Sequence, residues 1–212
     1  MATTKDKIIE VSINLFNEKG CLNTSTRHIA DKLEISVGNL YYHFKNKEEI
    51  LIEIFYRYMD IVFKEVNSLD YQGDEIFLLK KFLIDNLEAD VKHRFLHLEL
   101  NLLVMTFPKF EEIMKKQLPL EIDMIKRLIK HQILHGYIMK LNEDEINFLV
   151  SNSWIIATSN LTYWNLLSQN SSTNAKKGSL NMFYFIKPYL TEKSLAKQEI
   201  ADILDVLEER TK

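Results

Sequence analysis

Residues 24–51, TSTRHIADKLEISVGNLYYHFKNKEEIL, constrain the fold of this chain more than any other stretch. Their apolar positions, caps and single glycine describe two short helices meeting at a tight turn. Thr24 or Ser25 caps the first, whose inward face is Ile29, Ala30 and Leu33, with Arg27 in its first turn and Lys32 in its last. Glu34 and Ile35 form the turn. Ser36 offers a hydroxyl to an orphan backbone N–H of the second helix, Val37 to Phe44, in which Val37, Leu40 and Phe44 recur at i, i+3 and i+7 and face inward. The outward face is left with Gly38, Asn39, Tyr41, Tyr42 and His43, small or hydrogen-bonding groups with no long aliphatic chains.

Such a face suits the edges of bases and the phosphates beside them. The major groove of duplex DNA admits one helix and displays a donor and acceptor pattern at each base pair. Gly38 lets the backbone come close, the Asn39 amide matches adenine best, and Tyr42 and His43 can donate to phosphate oxygens and fix register. Lys45 and Lys47 follow at once. Asn46 with Glu49 reads as a capping box opening the next helix, which aims free N–H groups and the Lys47 ammonium at a phosphate.

The segment resembles the DNA-binding domain of the TetR/AcrR family of bacterial transcriptional regulators. The shared pattern, I-A-x-x-x-x-x-S-x-G-x-L-Y-Y-H-F-x-x-K-E-E-L, is carried by Ile29, Ala30, Ser36, Gly38, Leu40, Tyr41, Tyr42, His43, Phe44, Lys47, Glu48 and Glu49, with Ile50 where the family usually has leucine. One departure is Leu33-Glu34, where many members have alanine-glycine in the turn. The resemblance implies an all-α fold, with a three-helix helix-turn-helix DNA-binding domain over 1–47 and a helical ligand-binding and dimerisation domain over 48–212. It places Tyr42, His43 and Lys47 on phosphates and Gly38, Asn39 and Tyr41 at or near base edges. The full candidate DNA-contacting set is Thr24, Ser25, Thr26, Arg27, Ser36, Val37, Gly38, Asn39, Tyr41, Tyr42, His43 and Lys47.

A net charge of −3 over 212 residues seems at odds with a DNA partner until it is taken by region. Residues 24–47 hold Arg27, Lys32, Lys45 and Lys47 against only Asp31 and Glu34, and phosphates respond to that local surplus. With 46% hydrophobic residues the chain can bury a sizeable core. The single cysteine, Cys21, excludes an intramolecular disulfide and zinc-finger spacing and fits a reducing cytoplasm. No apolar run approaches the ~18 residues of a membrane span, and Met1 to Lys7 lacks a signal-peptide core. The expected protein is cytoplasmic, neither exported nor membrane-bound.

Taken in order, Thr3 or Thr4 caps a first helix running to about Lys19, with Ile8, Ile9, Ser12, Leu15 and Phe16 inward, Gly20 as its stop and Leu22 tucked beneath. Cys21 reads as partly buried filler. A long helix from Asn46 to about Asn67 joins the two halves, and Ser68 to Gly73 is a turn. Helices are then expected over Asp74–Ala89, Val91–Thr106 with Asp90 as cap, and Pro108–Gly136 with a break at Pro119. Asn142 and Glu145 form a capping box for a helix to about Gln169, and Asn170–Asn174 reads as a loop. Ala175–Leu190 and a last helix capped by Thr191 complete an all-helical chain.

The helices near 143–169 and 175–190 carry more than one apolar face, and surplus apolar surface implies a partner. Ser153, Ala157, Asn160 and Trp164 give a small-residue seam on one, while Phe183, Ile186 and Leu190 line part of the other. In the family such helices form a four-helix dimer interface, which implies a C2 homodimer on a pseudo-palindrome of double-stranded DNA. Family members also enclose an inducer pocket. A small apolar ligand would here meet some of Phe95, Met105, Phe107, Phe110, Met124, Trp154 and Tyr163.

The pairs His93/His97 and His131/His135 each have the i, i+4 spacing that puts two imidazoles on one helix face, but no cysteine supports a metal site and core or surface histidine is expected. No nucleophile with its base, phosphate-cradling glycine loop or paired catalytic carboxylates occurs, so neither catalysis nor a cofactor is expected. The reading is a ligand-responsive repressor. The alternative keeps the same DNA-binding head but has a C-terminal half that answers to a protein partner or a metal ion.

Overall fold

The computed structural model describes residues 3–68, 77–168 and 170–208. Among them the secondary structure is helical, apart from one isolated antiparallel bridge between Ile138 and Leu190. The first compact unit comprises the chain up to Ile61 together with Lys92–Lys116, and the second comprises Val62–Val91 and the chain from Gln117 onward. The division expected after Lys47 does not follow these lines of compactness.

In the first unit, α1 (Thr4–Lys19), α2 (Thr26–Lys32), α3 (Val37–His43) and the first part of α4 (Lys47–Ser68) gather around one core. Thr3 caps α1 in a reciprocal box with Asp6, and Ile8, Ile9, Ser12, Leu15 and Phe16 are buried along one stripe. Leu22, expected inside, is 37% exposed, because the residue tucked into the core at this bend is its neighbour Cys21. Segment 92–116 closes the core. There α7 (Arg94–Leu98), α8 (Leu100–Thr106) and the opening turns of α9 (Pro108–Leu134) supply Phe95, Leu96, Leu103 and Phe110. Phe95 meets Phe16 edge to face at 5.1 Å and Phe110 meets Phe55 at 5.3 Å. Asn17 accepts from the Phe95 N–H and donates to the Lys92 carbonyl, and Glu48 accepts from the Lys109 and Phe110 N–H groups at the start of α9.

In the second unit, α5 (Phe77–Lys80) passes through a π turn, Lys81–Asp85, into α6 (Leu87–Lys92). It is followed by the body of α9, then α10 (Glu143–Leu167), α11 (Ser171–Ile186) with a 3-10 turn at Lys187–Tyr189, α12 (Glu192–Leu195) and α13 (Gln198–Leu207). One core collects Leu83, Tyr137, Phe183, Ile200, Ile203 and Leu207, and another collects Ile129, Ile138, Ile146, Leu149 and Val150. Asn142 and Glu145 cap α10 reciprocally, as their spacing predicts.

Several boundaries differ from the sequence expectation. The helix expected to restart at Asp90 runs on to Lys92, and the interruptions fall instead at His93 and Glu99, whose backbones leave helical geometry. Pro119 does not break α9. Proline costs one backbone hydrogen bond, and Pro119 and Lys115 both lie on the exposed side, where water can take the freed carbonyl. The expected loop 170–174 is the start of α11: Asn170 caps it, accepting from the Thr173 N–H, and buried Asn174 donates to Asn165 and to the Ser168 carbonyl. The last helix is split at Ala196–Lys197 into α12 and α13. Most of the expected Ser68–Gly73 turn, and the side chains of Val66, Phe77 and Phe82, lie outside what is described.

Candidate nucleic-acid interface

The two short helices are built as their caps predict. Ser25, not Thr24, caps α2, accepting from the His28 N–H while the His28 ring accepts from the Ser25 N–H. Ser36 caps α3 through the Asn39 N–H at 3.1 Å. Between the helices, Glu34 stands at φ 56°, the left-handed conformation for which alanine-glycine turns supply a glycine. Leu40 is 0% exposed and Phe44 is buried, with Val37 packed beside them, which fixes the rotation of α3 about its axis. Gly38, Asn39, Tyr41 and Tyr42 consequently face outward.

The exposed face is polar and aromatic. Tyr42 is 86% exposed and stacks edge to face on the half-buried His43 ring, with centroids 5.2 Å apart. Tyr41 shares a hydrogen bond with Thr26 at 3.2 Å, which ties the outer surfaces of α2 and α3 together. A side chain at Gly38 would meet nothing nearer than the Ser36 hydroxyl at 3.8 Å, so packing within the chain does not demand glycine there. Arg27 lies in the open on α2, 3.8 Å from Asp31, and Ser25 and Ser36 are exposed at the two helix starts.

Three of the candidate contact residues are placed elsewhere. Thr24 is fully buried, with its hydroxyl donating to the Gly20 carbonyl at 2.8 Å, and braces the bend before α2. Val37 belongs to the core-facing side of α3. Lys47 directs its ammonium to the Cys21 and Leu22 carbonyls, at 2.6 and 3.1 Å. The capping box expected from Asn46 is half formed. Asn46 accepts from the Glu49 N–H, but the Glu49 carboxylate returns to the Lys45 N–H.

Sequence reasoning missed Glu99 as part of this region. Its two carboxylate oxygens accept from the Cys21 N–H, at 3.3 and 3.0 Å, and burial pushes its pKa above the ordinary glutamate value. Burial likewise pushes the Cys21 thiol up to about 12, so it stays protonated and unreactive while covered. No spacing rule links residues so far apart in the chain; only the folded unit shows the pairing.

The seven candidate ligand residues are divided between the two compact units. Phe95, Phe107 and Phe110 belong to the first unit's core or pack on it, and Met105 is 83% exposed on α8. In the second unit Met124 is buried, Trp154 half-buried and Tyr163 exposed. On α9, burial raises the Glu121 pKa; one of its carboxylate oxygens, and the Asn147 side-chain carbonyl oxygen on α10, are buried with no donor. His93 and His97 flank Tyr58, whose hydroxyl lies 3.0 Å from the His97 ring, while the His131 and His135 rings lie 4.2 Å apart. Among the described residues no group of three or more His, Cys, Asp or Glu is arranged to hold a metal ion. No helix there is long and apolar enough to cross a membrane.

The seam expected to face a partner subunit is engaged in part within the chain, with Ala157 exposed and Ser153, Asn160, Trp164, Ile186 and Leu190 half-buried. Asn160 donates to the Gly178 carbonyl at 3.0 Å and the Lys177 ammonium sits 5.1 Å from the Trp164 ring, contacts that join α10 to α11, while Phe183 is in the core with Leu83, Tyr137 and α13. The apolar groups of α10 that remain exposed are Phe148, Ile155, Tyr163, Leu166 and Leu167.

Comparison with known proteins agrees with this geometry. Residues 8–54 match the family described as bacterial regulatory proteins, tetR family, and residues 66–197 match the TetR bacterial transcriptional repressor family. Over 96 residues the chain is 34% identical to the "Probable HTH-type transcriptional regulator YttP" of Bacillus subtilis (strain 168), covering 43% of this chain and 46% of that protein. Over 93 residues it is 36% identical to the biofilm operon icaADBC negative regulator IcaR of Staphylococcus epidermidis, covering 42% and 50%. The chain thus spans about half the length of the curated relatives it matches. The crystal structure of a TetR-family transcriptional regulator from Marinobacter aquaeolei VT8 superposes with a TM-score of 0.82 at 28% identity, over 98% of both chains. With both halves of the polypeptide matched and the α2–α3 pair built as its caps dictate, this chain belongs to the TetR family of bacterial transcriptional regulators.

Proposed function

We propose that this chain is a repressor that binds a pseudo-palindromic DNA operator as a homodimer and is released by a small molecule held in its second unit. The observation that carries the DNA-binding part is the division of α3, with Leu40 and Phe44 sealed in the core and Asn39, Tyr41 and Tyr42 turned outward beside exposed Arg27. In this reading α3 lies in the major groove. Gly38, Asn39 and Tyr41 meet base edges, and Tyr42, His43, Arg27, Thr26, Ser25 and Ser36 meet phosphates. Thr24, Val37 and Lys47 position these groups from behind. Dimerisation is assigned to the exposed Phe148, Ile155, Tyr163 and Leu166 row of α10 with the neighbouring surface of α11. For the ligand, the donorless Glu121 oxygen on α9, one turn from buried Met124, and the donorless Asn147 oxygen on α10 favour an apolar molecule carrying a hydrogen-bond donor. Binding would act only by its preference between DNA-competent and DNA-incompetent states.

The test is fluorescence anisotropy with duplexes selected from a random library by the wild-type protein. Affinity is expected to fall steeply with salt, since phosphate contacts release counterions. Tyr42→Ala is expected to weaken all duplexes alike, and Asn39→Ala to change preference at one position per half-site by about 1–3 kcal/mol. Unchanged preference in Asn39→Ala would remove that residue from the base-contacting set, and salt-independent binding would contradict the function.

A further inference from the structure

The bend between α1 and α2 is held from two sides by ionised groups from distant parts of the chain. On one side the Glu99 carboxylate accepts from the Cys21 N–H with both oxygens; on the other the Lys47 ammonium donates to the Cys21 and Leu22 carbonyls. Three of the four backbone groups of this dipeptide, the Cys21 N–H and both carbonyls, are therefore engaged by charges, the stronger class of hydrogen bond. Gly20 makes room for the arrangement. It stands at φ +85°, and a Cβ there would come within 2.9 Å of a Glu99 oxygen.

We propose that Glu99 and Lys47 form a latch on the 20–23 bend, with Glu99 acting as a positioning residue for DNA binding although it lies outside the helix-turn-helix sequence. Lys47 opens α4 just beyond the end of α3, while Cys21 and Leu22 lie just ahead of the Ser25 cap of α2. The ammonium therefore ties the start of α4 to the residues before α2 and closes the reading pair into a loop. Glu99 fixes Cys21 to the interruption between α7 and α8, so the pair is anchored to segment 92–116 as well as to α4. The latch itself rests on this geometry alone; its effect on DNA rests on the function proposed above.

Cys21, the single cysteine, is 0% exposed inside the bend and so reports its opening. The experiment uses the full chain and measures native-state labelling of Cys21 by a disulfide reagent, together with affinity for duplex selected by the wild-type protein. Glu99→Ala is expected to label about tenfold faster and to bind DNA about tenfold more weakly, with Glu99→Gln, which keeps one acceptor, in between. Phe95→Leu serves as a control that lowers the melting temperature without touching the bend. The latch is overturned if Glu99→Ala labels at the wild-type rate, or if Phe95→Leu at equal loss of melting temperature matches it in both readouts. Faster labelling with undiminished DNA affinity would overturn the positioning role. A wild-type chain that selects no duplex would overturn the DNA-binding function and the positioning role with it, while labelling would still decide the latch.

Discussion

Leu40 and Tyr42 are two residues apart on α3 and sit at opposite extremes of exposure, and that contrast turns a seven-residue helix into a surface with one usable face. The same distinction moves Thr24 out of the contact set. Its buried hydroxyl bonds to the Gly20 carbonyl, so Thr24→Val, which keeps the shape but leaves that carbonyl short of a donor, is expected to cost about 1–2 kcal/mol in chemical denaturation. Sequence preference in DNA binding should be unchanged; an altered preference would return Thr24 to the contact surface. A run of Thr24, Ser25 and Thr26 offers three hydroxyls, and the sequence alone does not tell the cap from the brace. That choice is made by the carbonyl of Gly20, which only the folded bend brings within reach.

At the scale of elements, caps and stripes were legible because they depend on residues within one or two turns of each other. Asn142 pairs with Glu145 and Ser36 caps α3 where the spacing puts them, and the caps of α1 and α2 fall on Thr3 and Ser25, each one of the two residues that the spacing offers. Interruptions were not legible where partners far along the chain decide them. The break at Glu99 is accompanied by bonds to Cys21, and the start of α9 is capped by Glu48. The α1 cap also gives a pH prediction. Hydrogen bonds from the Thr3 hydroxyl and N–H, then from Arg57, hold Asp6 at about 2, below its ordinary 3.8. Because the folded value is the lower one, the stabilisation is full above ~4 and is lost as pH falls through about 2. Asp6→Asn should therefore melt below wild type at neutral pH, and the gap should close as the solution is acidified towards that value. A gap that persisted there would contradict the assignment.

For the whole molecule, the all-helical architecture followed from the periodicity of the apolar residues, whereas the faces that α10 and α11 turn to each other did not. Asn160, Trp164 and Phe183 join these helices or fill the core, and Phe148, Ile155, Tyr163 and Leu166 are left on the surface. If that row is the dimer contact, Phe148→Glu with Leu166→Glu should convert the protein from dimer to monomer in sedimentation equilibrium and abolish tight DNA binding while leaving helicity unchanged. The central claim is that two copies of the segment SVGNLYYHF enter successive major grooves, at a distance set by that pairing. Hydroxyl-radical footprinting of the wild-type protein on its selected duplex tests it most directly. Two protected patches related by a dyad and centred about one helical turn, roughly 34 Å, apart are expected; a single protected patch, or two patches at another spacing, would contradict the claim.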